Sequence, residues 1–231
     1  EKQFNQSKSV YIQNLKVSNK KTSFVASQAF RKNLYGPKHP YGVDTEEKDV
    51  KRLSIADFKK HFQAFIHSPR VFVSGKIDAL NKALMLKGFS QFRRGESVPS
   101  PDHKVVEGPR SQYLEKETSV QSSVRMGKRS VLRSDPDYAP LLFISHILGG
   151  YFGSRLMKNI REDKGLTYGI SASLHGLKRD SYLLIGADVN KENTDLTFDE
   201  IRKELKELRS TPISQDELET TRNHFIGSLQ S

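Results

Sequence analysis

The sequence predicts an α+β fold in two lobes, on three observations. Apolar residues recur at helical spacing in several stretches, among them SIADFKKHFQAFI (54–66) and NTDLTFDEIRKELKELRS (193–210). Two apolar runs, LTYGISASL (166–174) and DSYLLIGADV (180–189), are joined by HGLKR, a short glycine-containing link that suits an antiparallel hairpin. Between these regions FRRGESVPSPDHKVVEGPR (92–110) carries three prolines and two glycines with little periodicity, the texture of a linker. The expected division is therefore 1–108, ending in a linker over 93–108, and 109–231. Each lobe is expected to hold a mainly antiparallel sheet packed with helices.

The elements follow in order. Residues 1–17 and 22–35 read as helices separated by the polar SNKK, and GPKHPYG (36–42) forces a turn through its Pro and Gly content. Asp44 to Asp49 reads as an acidic approach to the next helix. That helix, 54–66, opens on Ser54 with Asp57 three residues on, close to capping-box spacing. Its apolar stripe is Ile55, Phe58, Phe62, Phe65 and Ile66. Pro69 stops it, RVFVSGKID (70–78) reads as a buried strand, and a helix follows over 78–86. In the second lobe, 111–130 has the alternation of a strand pair or one long strand. YAPLLFISHILGG (138–150) reads as an apolar helix closed by two glycines. SRLMKNIREDK (154–164) reads as another, with Ser154 as N-cap and Gly165 as its C-terminal stop. After the hairpin and the 193–210 helix, Pro212, a Ser214 cap and Glu217 at capping-box spacing start the last helix.

Composition excludes several classes. The 231 residues include 8 Tyr and 13 Phe, too many aromatics for general disorder. No apolar run approaches the roughly 20 residues that cross a bilayer. With no cysteine there is no disulfide and no thiolate metal site, and cytosol and periplasm both remain compatible. The chain starts EKQFNQSK without an initiator Met or signal peptide and ends on an uncapped helical pattern, so it is expected to be a fragment. Residues 1–100 carry 19 Lys+Arg against 8 Asp+Glu, whereas the rest of the chain balances at 19 each. The lysines are scattered without an RNA-binding aromatic signature or zinc-finger spacing. A solvated basic surface is thus favoured over a nucleic-acid interface, with a basic binding module in 1–100 as the competing reading.

Motifs for metal and nucleophile chemistry are missing. None of the seven histidines (His39, His61, His67, His103, His146, His175, His224) forms H-E-x-x-H or H-x-x-E-H. His61 and His67 are about 240° apart around a helix axis at 100° per residue. There is no G-x-S-x-G. LGGYFGS (148–154) is glycine-rich but lies between two helices and not after a strand, which argues against a dinucleotide site.

One junction remains. In REDKGLTYGI (161–170), Arg161 falls in the last turn of a helix, where the dipole favours a cation by a few tenths to ~1 kcal/mol. Gly165 then reverses the chain into the strand holding Tyr168. Residues seven apart can approach each other, or one ligand, across such a turn. A guanidinium and a phenol offer several donors and no strong base, which suits polarising a carbonyl more than removing a proton. From these residues alone, a helix cap plus a strand aromatic is the simpler account.

A resemblance changes the weighting. LGGYFGSRLMKNIREDKGLTYGISASL (148–174) resembles the second-lobe signature of the pitrilysin/insulinase-like zinc metallopeptidases, the inverzincins, which include the mitochondrial processing peptidases. PISQDELETTRNHFIGSL (212–229) continues it. FRKNLYGPKHPYG (30–42) and DFKKHFQAFIHSPRVFVSGKID (57–78) are similar to the later part of that family's first lobe. The resemblance implies two α/β lobes facing each other around a chamber that holds an extended peptide. It also implies an Arg and a Tyr from the second lobe on the substrate carbonyl; here these are Arg161 and Tyr168. It implies zinc, held by H-x-x-E-H and a distant Glu in the first lobe. That motif is absent, so no metal ligand is assigned and these residues alone are expected to be inactive. Either the segment that carries the motif is missing from an N-terminally truncated first lobe, or the parent is the non-zinc subunit of a pair. The implied partners are a peptide substrate and a zinc-bearing lobe or homologous subunit, with no nucleic acid and no membrane span.

Overall fold

The computed structural model describes residues 1–65, 70–90, 102–117 and 119–230. Along the chain run α1 (Lys2–Ser18), α2 (Thr22–Tyr35), α3 (Glu47–Arg52), α4 (Ile55–Phe65), α5 (Ala79–Ser90), β1 (Gln121–Arg129) and α6 (Tyr138–Gly149). A π-helical turn (Met157–Asp163), β2 (Thr167–Gly176), β3 (Ser181–Asn190), a 3₁₀ turn (Lys191–Asn193), α7 (Thr194–Ser210) and α8 (Gln215–Gln230) complete it. The fold is α+β, as the sequence predicts. The chain forms two compact units: Glu1–Leu15 with Thr45–Lys104, and Lys16–Asp44 with Val105–Ser231.

In the first unit the capping box at α4 forms: the Ser54 N–H donates to Asp57 Oδ2 at 2.8 Å and the Asp57 N–H to Ser54 Oγ at 3.1 Å. The acidic run before it leads into a short helix, α3, with Asp49 Oδ2 accepting the Glu46 N–H at 3.0 Å. The apolar stripe of α4 stays largely in solvent at Phe58 and Phe62, although Phe58 meets the Phe4 ring at 6.2 Å. The strand expected over 70–78 does not form, and Phe72 is 90% exposed. A strand needs a hydrogen-bonded neighbour, and among the described residues none pairs with this segment. Ile66, His67 and Pro69, and residues 93–101 of the expected linker, lie outside the described residues.

The second unit is built on one antiparallel sheet in the order β1-β3-β2. Regular strand begins only at Gln121, not at 111. Alternation puts Ile170, Ala172 and Leu174 of β2, Ile185, Ala187 and Val189 of β3 and Val124 of β1 in the buried set. Leu148, Leu156, Ile160 and Ile201, from α6, the helical segment after it and α7, close that core. Each such side chain contributes about 1.5–3 kcal/mol on burial. The alternate residues of β1 meet α2: Arg125 Nε donates to Ser27 Oγ at 3.1 Å, and Ser123 Oγ to Thr22 Oγ1 at 2.9 Å.

Two ties hold α8 against this layer. Arg155 grips Glu217 through both carboxylate oxygens, at 2.7 and 2.8 Å. The Glu217 side chain is therefore spent on Arg155, and only half of the expected α8 capping box is present, the Glu217 N–H donating to Ser214 Oγ at 3.2 Å. The second tie is aromatic. His146 Nε2 lies 3.0 Å from His224 Nδ1, and the Tyr151 ring stacks on both imidazoles.

This packing carries a pH dependence. Burial first, and the neighbouring His224 second, push the His146 pKa below its ordinary 6.5; burial does the same to His175. The unfolded chain takes up these protons first as pH falls. The stabilisation is therefore complete above about 6.5 and declines as pH drops from there toward the folded values. The thermal midpoint is expected to be lower at about pH 5.5 than at about pH 7.5, with a smaller difference in His146→Asn. Calorimetry at both pH values checks this; an equal difference in the variant contradicts it.

Candidate functional site

The segment that carries Arg161 is not the α-helix its sequence suggests. After one α-turn it widens into π-helix over Met157–Asp163, and the Lys164 N–H donates to the Asn159 carbonyl at 3.2 Å, five residues back. The widened turn makes contacts to two sides. Leu156, Met157 and Ile160 all enter the core, while Asn159, also buried, is held from the α7 side. Asn159 Nδ2 donates to Glu204 Oε1 at 2.6 Å and Glu200 Oε2 at 3.0 Å, and its Oδ1 accepts from Lys164 Nζ at 2.6 Å. The π-turn is where the contacts to the core and those to α7 meet. Ser154 does not act as the expected cap: among the described residues its buried hydroxyl has no hydrogen-bond partner. Gly165, at φ 61°, takes the left-handed conformation that turns the chain into β2.

Tyr168 lies on a bulge. Thr167 pairs with Val189 and Ile170 with Ala187, so Tyr168 and Gly169 together oppose Asp188. Strict alternation would group Tyr168 with Ile170, Ala172 and Leu174 on the buried face. The extra residue breaks that alternation, and Tyr168 is 92% exposed. Thr167 braces the bulge, its Oγ1 lying 2.7 Å from the Asp188 carbonyl and accepting the Gly169 N–H at 3.2 Å.

The structure brings the two sequence-predicted residues together. The Arg161 guanidinium carbon lies 5.4 Å from the centroid of the Tyr168 ring, and 4.4 Å from that of Phe152, a residue the sequence reasoning missed. Among the described residues the Arg161 side chain makes no hydrogen bond or ion pair, unlike those of Arg125, Arg129 and Arg155, which each meet a carboxylate. Its donors are unspent, and they lie near an exposed phenol. Beside them a shallow groove of about 360 Å³ is lined by Phe152, Met157 and Ile170 and by Gly149, Gly169 and Gly186. Of these three glycines Gly169 alone has open space where a Cβ would stand; a Cβ at Gly149 would meet Ala172 and one at Gly186 would meet Arg125. Of the two glycines ending α6, neither is needed for a left-handed cap: Gly150 has φ −87°, and a Cβ there would meet His146 Nδ1 at 2.3 Å. Their role is steric.

An unspent guanidinium beside an exposed tyrosine offers hydrogen-bond donors and no strong base. Zinc, which the resemblance implies, does not fit these residues: among those described, no three His, Asp or Glu converge on a common point. Among the described residues no helix is long and apolar enough to cross a membrane. The signal for Phe152 was an aromatic inside a glycine-rich turn, which neither helical nor strand periodicity registers.

Comparison with known proteins gives the family. Residues 52–225 match the sequence model of the peptidase M16 inactive domain. The chain is 33% identical over 90 residues to a Bacillus subtilis protein named as an uncharacterized zinc protease, covering 38% of this chain and 22% of that one. It is 25% identical over 191 residues to the Helicobacter pylori protein named a non-peptidase homolog, covering 79% of this chain and 43% of that one. The chain thus spans less than half the length of these relatives. Among solved structures, the peptidase M16 inactive domain from Pseudomonas fluorescens superposes with a TM-score of 0.85 at 23% identity, over 99% of this chain and 56% of that one. The chain belongs to the peptidase M16 inactive domain family.

Proposed function

We propose that this chain is the substrate-holding part of an M16-type peptidase assembly, and that Arg161 and Tyr168 bind a backbone carbonyl of an extended peptide. In this reading the zinc belongs to another lobe, in cis or on a homologous subunit. The lobe boundary is at 108/109, and the chain alone does not cleave peptides. The observation that carries the reading is the Arg161 guanidinium with its donors unspent, 5.4 Å from the ring of a tyrosine that the β2 bulge turns into solvent. The shallow groove next to it gives an extended chain room to lie.

Fluorescence anisotropy with a pool of labelled extended peptides tests the pair. Arg161→Ala is expected to weaken binding about tenfold or more, since a hydrogen bond from a charged donor is worth about 1.5–3 kcal/mol. Tyr168→Phe keeps the ring and is expected to lose about two- to tenfold at an unchanged melting temperature. Equal affinity in all three proteins would sink the assignment. Binding that falls steeply with salt and ignores Arg161→Ala would point to the basic residues 1–100.

The boundary has its own test. Limited proteolysis is expected to cut first within 93–111, the Pro- and Gly-rich stretch that contains one of the three chain junctions between the compact units, Lys104/Val105. Early cuts inside 138–190 with 93–111 protected would remove it.

A further inference from the structure

We infer that Phe152 is a positioning residue for Arg161: its ring holds the guanidinium by one face and so fixes the direction of the fork without consuming a donor. The geometry is independent of the carbonyl-binding reading, and its consequence for ligands rests on that reading.

Three observations carry it. First, the Phe152 contact, at 4.4 Å from guanidinium carbon to ring centroid, is shorter than the Tyr168 contact at 5.4 Å, so the cation is flanked by two rings. Both distances are within the roughly 6 Å over which a ring face attracts a cation.

Second, Phe152 is not a core residue that happens to be near. The residue is 61% exposed, and it stands on a turn secured beside it. The neighbouring Tyr151 stacks on His146 and His224 and shares a hydrogen bond with Thr221 Oγ1 at 3.0 Å. The Ser154 N–H donates to the Tyr151 carbonyl at 3.1 Å and closes the turn. Phe152 is therefore presented from a braced backbone.

Third, the contrast with Arg155 is chemical. Arg155, six residues earlier, is held by a carboxylate that occupies its fork. A carboxylate there takes the Nε–Nη2 edge and neutralises the charge, so that edge is closed to a ligand. An aromatic face restrains the plane of the guanidinium and leaves its edge N–H groups free, so the rotamer freedom of a long side chain is removed before a ligand arrives. The ligand this favours is one with an acceptor oxygen and no positive charge, such as a peptide carbonyl.

The test reads Arg161 directly. In the full 231-residue chain, the Arg161 Nε–Hε signal is identified by its disappearance in Arg161→Lys, and its ¹⁵N relaxation and proton shift are then measured. In the parent chain the signal is expected to be rigid and shifted upfield by the ring. Phe152→Leu keeps an apolar side chain but removes the ring, and is expected to make the signal mobile and return it toward the shift of a free arginine. Phe152→Trp is expected to restore rigidity and move the proton further upfield. An Arg161 signal in Phe152→Leu with the relaxation and shift of the parent chain overturns the inference. So does a Phe152→Trp signal as mobile as that of Phe152→Leu. Affinity for the labelled peptide pool separates this from the functional reading. If Arg161 binds the peptide, Phe152→Leu weakens it about two- to fivefold, the ratio equivalent to an exposed cation–π contact. If affinity is the same in the parent chain, Phe152→Leu and Arg161→Ala while the Arg161 signal still loosens in Phe152→Leu, Phe152 positions Arg161 and the carbonyl-binding reading is the one that falls.

Discussion

At Gly149 the end of α6 lies against the backbone of β2 so closely that a Cβ there would meet the Ala172 nitrogen at 2.4 Å and its Cβ at 2.8 Å. This contact fixes where α6 must stop and how near the sheet it stops. The chain then has only a few residues in which to turn, and that turn carries Tyr151 toward α8 and Phe152 toward Arg161. A larger side chain at 149 would have to lift the helix end from the strand, and the turn, the groove and the Phe152 ring would move with it.

Around that contact, the elements are held by different kinds of interaction. The apolar core under the sheet supplies non-directional adhesion. Directional restraints are polar, among them Arg155 with Glu217, and Asn159 with Glu200, Glu204 and Lys164. Hydrogen bonds from Asn159, and after them Lys164, hold Glu200 below its ordinary carboxylate range, and Arg155 does the same for Glu217. Both restraints come from the short segment that carries Arg161. The π-turn is where they are reconciled with three apolar side chains that must enter the core.

How much of this was legible follows from the range of the forces involved. Capping at Ser54, the hairpin of β2 and β3 and the long helix α7 depend on neighbours in sequence, and the residues announce them. That Arg161 and Tyr168 approach each other was also readable, because Gly165 is the sort of residue that reverses a helix into a strand. The π-turn was not readable, since Asn159 finds its acceptors 41 and 45 positions away on α7. Nor was the fate of Glu217, whose capping-box spacing is intact while its carboxylate is drawn to Arg155. RVFVSGKID has every local mark of a strand and is not one, because pairing belongs to the sheet and not to the segment.

The bulge at Tyr168 and Gly169 makes the exposure of Tyr168 a matter of counting. Substituting a side chain at 169 leaves the number of residues between the Thr167 and Ile170 pairings unchanged. Removing Gly169 alters no other side chain and leaves the pairing from Ile170 onward as it is, yet it seats Tyr168 squarely opposite Asp188. The phenol then joins the face shared by Asp188 and Ser123, the one α2 covers at β1. The site thus depends on a reading frame in space: one residue more than the partner strand has keeps the tyrosine beside the arginine.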